Sequence, residues 1–229
     1  MKQNTLSFVG YELFSGKLGE FTPKSKTLIN TLNLHSYVVA ENDSNFKKSL
    51  LKSDVLLADG EGAVLGLRFL TGNRISKIAG ADLHRYFLES LNSEKGKCFY
   101  LGASSDTLDK IISKISVEYP NVTVGKYSPP YKNEFDANDN KLMIDAVNTF
   151  KPDVLFVGMT APKQEKWVAE NSEALEAKFI CTIGAVFDFY AGTVNRPSQF
   201  WINLKLEWLL RLIKEPKRMW RRYLYNGPV

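Results

Sequence analysis

Short apolar runs alternate with segments of helical spacing through the middle of the chain. The apolar runs predict strands at residues 98–101, 122–124, 154–157 and 179–183. Apolar residues that recur every three or four positions predict helices at 107–119, at 142–150 and from Pro162 to about residue 175. Repeated strand, glycine loop and helix predict an α/β fold: a Rossmann-like parallel sheet with helices on both faces.

The first 95 residues have a less regular pattern. Apolar runs predict strands at 27–34, 37–40 and 55–57, and helical spacing predicts helices at 45–51 and 81–91. Asp59-Gly60-Glu61-Gly62 directly follows the last of these strands and precedes a further predicted helix. Polar groups therefore stand at a strand's carboxyl end, where parallel sheets of this class bind ligands.

Composition limits the class of protein. A length of 229 residues with 44% hydrophobic residues fits one large α/β domain, with or without an appendage. No apolar run approaches the roughly 18 residues of a membrane span, and no signal-peptide core is evident at the start. Cys98 and Cys181 lie in apolar runs, so we expect buried thiols in a reducing cytosol rather than a zinc site.

The positive charge is concentrated at the end of the chain. Residues 201–229 contain seven basic and two acidic side chains, which equals the whole net charge of +5. Trp208, Trp220 and interleaved leucines predict a basic amphipathic helical appendage, following a domain that spans 1–200. Such a tail suits anionic lipid or nucleic acid, or packs against the rest of the chain.

Two strand-end loops carry candidate ligand-binding groups. Gly102 and Ser104 precede a helix, where N-terminal amides favour phosphate, although Ser104 suits helix capping equally well. Gly158 begins a second loop that leads to Gln164, whose amide suits a sugar or a base edge unless it is only a solvated first helical turn.

Carboxylates offer two further candidate sites. Asp59 stands at a strand end and suits a general base, although an N-cap or an Asx turn explains the same position. Asp136, Asn138 and Asp139 are spaced closely enough to suggest a divalent metal, but their place before a helix favours a loop and N-cap role.

Taken together, the segments resemble the WecG/TagA/CpsF family of bacterial glycosyltransferases from about residue 31 to residue 228. The body carries Thr31-Leu32-Asn33, Ala58-Asp59-Gly60-Glu61-Gly62, Ile78-Ala79-Gly80-Ala81-Asp82-Leu83, Tyr100-Leu101-Gly102, Tyr119-Pro120, Pro162-Lys163-Gln164-Glu165-Lys166-Trp167 and Phe187-Asp188-Phe189-Tyr190-Ala191-Gly192. The tail adds Leu206-Glu207-Trp208-Leu209-Leu210-Arg211-Leu212 and Glu215-Pro216.

This resemblance implies an inverting, metal-independent transferase that needs no cofactor. It implies transfer of a sugar from a UDP-sugar donor to a polyprenyl-diphosphate-linked acceptor, in the synthesis of cell-surface polysaccharide such as teichoic-acid linkage units, capsule or exopolysaccharide. The family's proposed base falls on Asp59, and its active-site contacts fall on Thr31, Asn33 and Gln164. Its membrane-contacting appendage falls on 201–223, so we expect a cytoplasmic protein, peripheral on the inner face of the bacterial cytoplasmic membrane.

The expected site follows from these motifs and strand ends. We expect Asp59 to be the catalytic base and Arg211, Arg218, Arg221 and Arg222 to close over the site at the membrane. The expected substrate-binding residues are Thr31, Asn33, Lys77, Asp82, Gly102, Ser104, Tyr131, Gly158, Gln164 and Glu165.

Two positions depart from the family pattern. Lys77 stands where an arginine is common, and it neutralises a diphosphate only as a point charge. Ala103 replaces the second glycine of a Leu-Gly-Gly segment.

Two other classes of protein compete with the transferase. One is a non-catalytic nucleotide- or nucleic-acid-binding protein, but the neutral body disfavours it because a nucleic-acid footprint normally covers a face of the fold. The other is a nucleotide-dependent oxidoreductase, but this sequence lacks the glycine fingerprint of that class. Apolar tail residues also allow self-association into a homo-oligomer.

Overall fold

A six-stranded sheet, parallel throughout, forms the centre of the computed structural model, which describes residues 4–21 and 23–194 together with Leu212. The strand order is β4-β3-β8-β7-β5-β6. The strands are β3 (Thr27–Leu32), β4 (Val55–Ala58), β5 (Lys97–Gly102), β6 (Thr123–Tyr127), β7 (Val154–Gly158) and β8 (Phe179–Thr182). The predicted α/β architecture is therefore confirmed.

Helices cover both faces of the sheet. They are α1 (Leu34–Asn42), α2 (Ser44–Leu51), α3 (Glu61–Thr71), α4 (Gly80–Glu94), α5 (Ser105–Glu118), α6 (Ala137–Phe150), α7 (Lys163–Asn171) and α8 (Val186–Ala191). One core joins alternate strand residues to α4, α5 and α8, and another joins the opposite strand face to α6 and α7. Apolar burial on both faces explains why the strands read as continuous hydrophobic runs.

An antiparallel hairpin lies outside the main sheet. Its strands are β1 (Thr5–Phe8) and β2 (Tyr11–Phe14), and Val9 and Gly10 turn the chain with φ of 42° and 88°. Two positive φ values are typical of the tight turns that join hairpin strands. Residues of both strands share a buried cluster with α3, so the hairpin completes the core beside β4.

One element prediction is wrong. Residues 37–40 were expected as a strand and lie in α1 instead. Asn33 and Ser36 form a reciprocal capping box, with the Asn33 side chain accepting from the Ser36 N–H at 3.0 Å, and this starts a helix at Leu34. The cap, with burial of Ala40 in the cluster beside the hairpin, overrides the β propensity of the Tyr-Val-Val run.

The other element predictions differ only at their ends. The strand predicted at 27–34 stops at Leu32, and α6 begins at Ala137 rather than near residue 142. The helix after Pro162 ends at Asn171 and continues as a short 3-10 turn, Ser172–Ala174. Cys98 and Cys181 are buried free thiols, as expected. Within the described part of the chain, no helix is long and apolar enough to cross a membrane.

Parallel strands bring their carboxyl ends to one edge of the sheet. That edge carries Asn33, Asp59, Ala103, Ser128, Met159 and Ile183, each the residue that follows a strand. Neighbouring strands lie about 4.8 Å apart, so the ends of β4 and β7 are separated by about 14 Å and those of β4 and β6 by about 24 Å. The predicted appendage, with Arg211, Arg218, Arg221 and Arg222, lies outside the described residues.

Candidate active site

Asn33 and Asp59 lie side by side where β3 and β4 end. Leu32 and Ala58 are register partners, so the two polar residues are the next positions along neighbouring strands. The Asp59 N–H donates to the Leu32 carbonyl at 2.9 Å and extends the pairing by one step. The sheet register therefore places an amide beside the candidate base.

Asp59 is not the N-cap of the helix that follows it. Gly60 holds that position, with φ of 99° and ψ of 149°, a backbone conformation that is essentially restricted to glycine. Asp59 is half-buried at the strand end. The N-cap interpretation is thus wrong, and the position remains suited to a carboxylate that faces a ligand.

Thr31 belongs to the same group by register. It pairs with Leu57, two residues before Asp59, and it is half-buried. The adjacent residue, Asn30, projects to the opposite sheet face, where it is fully buried and accepts from the Thr182 hydroxyl at 2.6 Å. Side chains alternate between the two faces of a strand, so the structural amide of Asn30 and the candidate substrate contact Thr31 lie on opposite faces of the sheet.

The Lys77 segment is attached to the same strand end. The Ile78 N–H donates to the Ala58 carbonyl at 2.9 Å, so Lys77 lies next to the Asp59 loop. Its Nζ is 3.5 Å from Glu61 Oε1, and both side chains are about one-quarter exposed, at 24% and 26%. The pairing places the Lys77 ammonium group near the candidate base. Glu61 was missed as a site residue, although its position in the first turn of α3 was the available signal.

Asp82 has a structural contact. Its Oδ2 accepts from the Ala79 N–H at 3.0 Å and thereby satisfies a free amide at the start of α4. Its other oxygen is 3.6 Å from Arg85. The structure thus gives Asp82 a role in helix initiation beside the Lys77 segment.

Gly102 and Gly158 allow two strand ends to approach closely. A Cβ on Gly102, where φ is 120°, would lie 2.3 Å from the Gly158 carbonyl oxygen. A Cβ on Gly158 would lie 2.5 Å from the Phe187 ring, so α8 packs directly on that backbone. Both predicted glycines therefore shape the edge by their lack of a side chain.

Gln164 and Glu165 are buried near the middle of the edge, each only 4% exposed. Gln164 Oε1 accepts from the Met159 N–H at 3.1 Å, and its Nε2 donates to Glu165 Oε1 at 2.7 Å. The interpretation of Gln164 as part of a solvated turn is wrong, because packing of α7 against the strand-end loops encloses it. Its amide orders the loop after β7.

Glu165 carries an unusual buried carboxyl group. Its Oε2 is buried and makes no hydrogen bond to any residue that the structure describes. Burial raises the pKa of this carboxyl to about 7, partly offset by the Gln164 amide. Perturbed acids of this kind are concentrated at functional sites, although buried structural acids show the same shift.

Two predicted contacts lie farther from Asp59. Ser104 is the N-cap of α5, where its Oγ accepts from the Thr107 N–H at 3.2 Å. It follows β5, about 19 Å from β4 across four strand spacings. Tyr131 is fully exposed after β6, the far edge strand. The sheet order therefore does not bring Ser104 and Tyr131 to Asp59.

The acidic cluster before α6 is a helix cap, as expected. Asp136 is the N-cap, and its Oδ1 accepts from the Asp139 N–H at 2.9 Å, while Asp139 accepts from the Asp136 N–H in return. Lys132 pairs with both carboxylates. Within residues 4–21 and 23–194, no three His, Cys, Asp or Glu side chains group as metal ligands.

Comparison with known proteins shows that nearly the whole sequence matches one protein family. The model of the glycosyl transferase WecG/TagA/CpsF family matches residues 9–229. An N-acetylglucosaminyldiphosphoundecaprenol N-acetyl-beta-D-mannosaminyltransferase of Bacillus subtilis is 33% identical, over 98% of this chain and 84% of its own length. Proteins of the same name from Bacillus spizizenii and Staphylococcus aureus MW2 are 27% and 26% identical, over 96% and 74% of this chain and 85% and 65% of theirs.

Proposed function

The chain belongs to the WecG/TagA/CpsF family of glycosyl transferases, and we propose that it transfers a sugar from a UDP-sugar to a polyprenyl-diphosphate-linked saccharide. The observation that carries this proposal is the family match over residues 9–229, which includes the strand-end residues. The names of the relatives favour N-acetylmannosamine as the sugar and a diphosphoundecaprenol-linked N-acetylglucosamine as the acceptor.

Asp59 is the base in this proposal. It takes the proton of an acceptor hydroxyl, whose oxygen forms a bond to the anomeric carbon as the bond from that carbon to the UDP oxygen breaks. A single displacement of this kind inverts the anomeric centre. The position of Asp59 beside Asn33, at the edge where parallel sheets bind ligands, supports the assignment.

The leaving UDP carries the charge that develops in the transition state. Fixed donors stabilise such charge without reorganisation, and the proposed reaction uses no metal ion. Lys77 is the described cation next to the Asp59 loop, paired with Glu61 at 3.5 Å. The Gln164 amide retains one N–H beyond its bond to Glu165, because a primary amide offers two donors.

Peripheral membrane association completes the proposal. The basic segment 201–229 attracts an anionic inner leaflet, and Arg211, Arg218, Arg221 and Arg222 supply guanidinium groups for a diphosphate. The acceptor lipid is membrane-bound, so this attraction brings enzyme and acceptor together. Self-association through apolar tail residues remains part of the proposal.

The test is a transfer assay with the full chain. A panel of UDP-sugars is offered with a diphospholipid-linked N-acetylglucosamine, and UDP release and glycolipid product are both measured, with and without a chelator. Acceptor-dependent release from one donor, with an inverted product and no effect of the chelator, supports the proposal. UDP binding without turnover across the panel would favour the non-catalytic binder instead.

A further inference from the structure

An exposed apolar surface lies on α3, the helix that follows the candidate base. Leu65, Phe69 and Leu70 are 53%, 89% and 61% exposed, and we name these three residues the α3 patch. Leu65 and Phe69 are four residues apart and therefore neighbours along the helix. Ala63 and Leu67 on the same helix are buried against the hairpin cluster, so the helix is anchored while the patch faces solvent.

The charges around the α3 patch are mostly positive, apart from Glu61 at the start of the helix, which pairs with Lys77. Residues 62–81 contain Arg68, Arg74 and Lys77 and no acidic residue. Both arginines are exposed. Arg68 lies on α3 between Leu65 and Phe69, and Arg74 lies just after the end of the helix. An apolar surface with cationic neighbours matches an anionic bilayer, in which Leu and Phe enter the acyl boundary and Arg meets phosphate.

A second copy of this chain is a poorer partner for the same surface. A twofold interface through the α3 patch would bring Arg68 and Arg74 of one molecule against the same residues of the other. The one carboxylate of α3, that of Glu61, is already paired with Lys77 at 3.5 Å. Electrostatic complementarity therefore favours anionic lipid over self-association.

We propose that α3 is a membrane-docking helix whose α3 patch enters the surface of an anionic bilayer. The helix begins two residues after Asp59, and its 11 residues extend about 16 Å. Docking through α3 would hold the strand-end edge within about one helix length of the lipid surface. This inference extends the proposed transferase function, because a polyprenyl-linked acceptor presents its sugar at that surface.

Site-specific labelling tests the docking directly, in the full chain with its tail intact. Phe69→Cys is labelled with an environment-sensitive fluorophore, and the native Cys98 and Cys181 are both buried. Val117→Cys on α5 is the matched control, since Val117 is likewise highly exposed, at 81%. Vesicles of phosphatidylcholine with phosphatidylglycerol are compared with vesicles of phosphatidylcholine alone, without any sugar substrate.

The expected result is a blue shift and a rise in emission at position 69 with anionic vesicles, and little change at position 117. Phe69→Ser is expected to weaken vesicle binding about tenfold, as loss of one buried aromatic side chain implies. Equal signals at the two positions, or none at position 69, would overturn the proposal. A rise at position 69 with protein concentration in the absence of vesicles would overturn it in favour of a second copy.

The outcome is independent of whether the transferase assignment is right, because the labelling uses no donor or acceptor. Turnover then connects the two proposals. With a water-soluble short-chain acceptor, Phe69→Ser should retain wild-type transfer, whereas transfer to a vesicle-bound long-chain acceptor should fall with binding. Equal loss on both acceptors would contradict a docking role.

Discussion

Asn33 and Asp59 are adjacent at the ends of two parallel strands, and they differ in how they contribute to the helix that follows each strand. Asn33 caps α1 through a 3.0 Å bond from the Ser36 N–H, whereas Asp59 leaves the capping position of α3 to Gly60. The same register step thus places a side chain that caps its helix beside a carboxylate that does not cap the helix following it.

Substitution at Asn33 separates capping from substrate contact. Asn33→Asp keeps an effective cap, so the unfolding temperature should stay close to that of the wild type. Transfer should fall and the donor KM should rise, because a second carboxylate beside Asp59 repels a diphosphate. Asn33→Ala, which removes the cap, should lower stability by about 1 kcal/mol. Wild-type kinetics for Asn33→Asp would show that this amide does not face the donor.

Gly102→Ala should strongly destabilise the protein. Its Cβ would lie 2.3 Å from the Gly158 carbonyl oxygen, and the backbone has φ of 120°. We expect a loss of more than about 3 kcal/mol in denaturant unfolding. Gly72→Ala is the matched control, because φ is also positive there, at 72°. A Cβ at that position would have no heavy atom of the described residues within 4 Å, apart from those of its chain neighbours. This substitution should cost only about 1 kcal/mol; equal costs would contradict the close approach.

Glu165 should make stability fall as pH rises. Its carboxyl group has a pKa of about 7 in the folded chain against an ordinary 4.5, so the folded state binds the proton more tightly. The favourable contribution is complete below about pH 4.5 and is lost by about pH 7, up to about 3 kcal/mol. Glu165→Gln should remove that part of the dependence in unfolding titrations. An unchanged pH profile would show that the carboxyl is solvated.

Lys77 and Glu61 should have opposite effects on donor binding. Lys77→Met removes the described cation next to Asp59 and should raise the donor KM about tenfold or more, while Lys77→Arg should retain most of the affinity. Glu61→Gln should lower the donor KM, because it releases the lysine from its partner. A donor KM that is insensitive to all three variants would remove Lys77 from the phosphate site.

Sequence patterning predicted the central sheet and most of its helices because apolar runs that end in glycine loops alternate with segments of helical spacing. It failed at residues 37–40, where the Asn33 cap and the burial of Ala40 beside the hairpin decide the conformation. The hairpin of β1 and β2 was not predicted, since its turn is the uncommon pair Val9-Gly10.

The candidate site was predicted only in part. Strand-end position indicated Asp59 and the family resemblance indicated Asn33, and the register confirms that the two residues are neighbours. Burial of Gln164 and Glu165 depends on how α7 packs against the loop after β7, and the distance to Tyr131 depends on the strand order. The burial of these two side chains and the distance to Tyr131 are set by tertiary packing and strand order, so the local sequence pattern does not predict them.

The most direct test of the account is acceptor-dependent transfer by Asp59→Asn, with Asp145→Asn, an exposed aspartate on α6, as the matched control. Loss of the base should reduce turnover by about 100-fold or more and leave UDP binding and unfolding temperature unchanged. The control should behave as the wild type. Turnover by Asp59→Asn near the wild-type rate would contradict the assignment of Asp59, and with it the site built around the ends of β3 and β4.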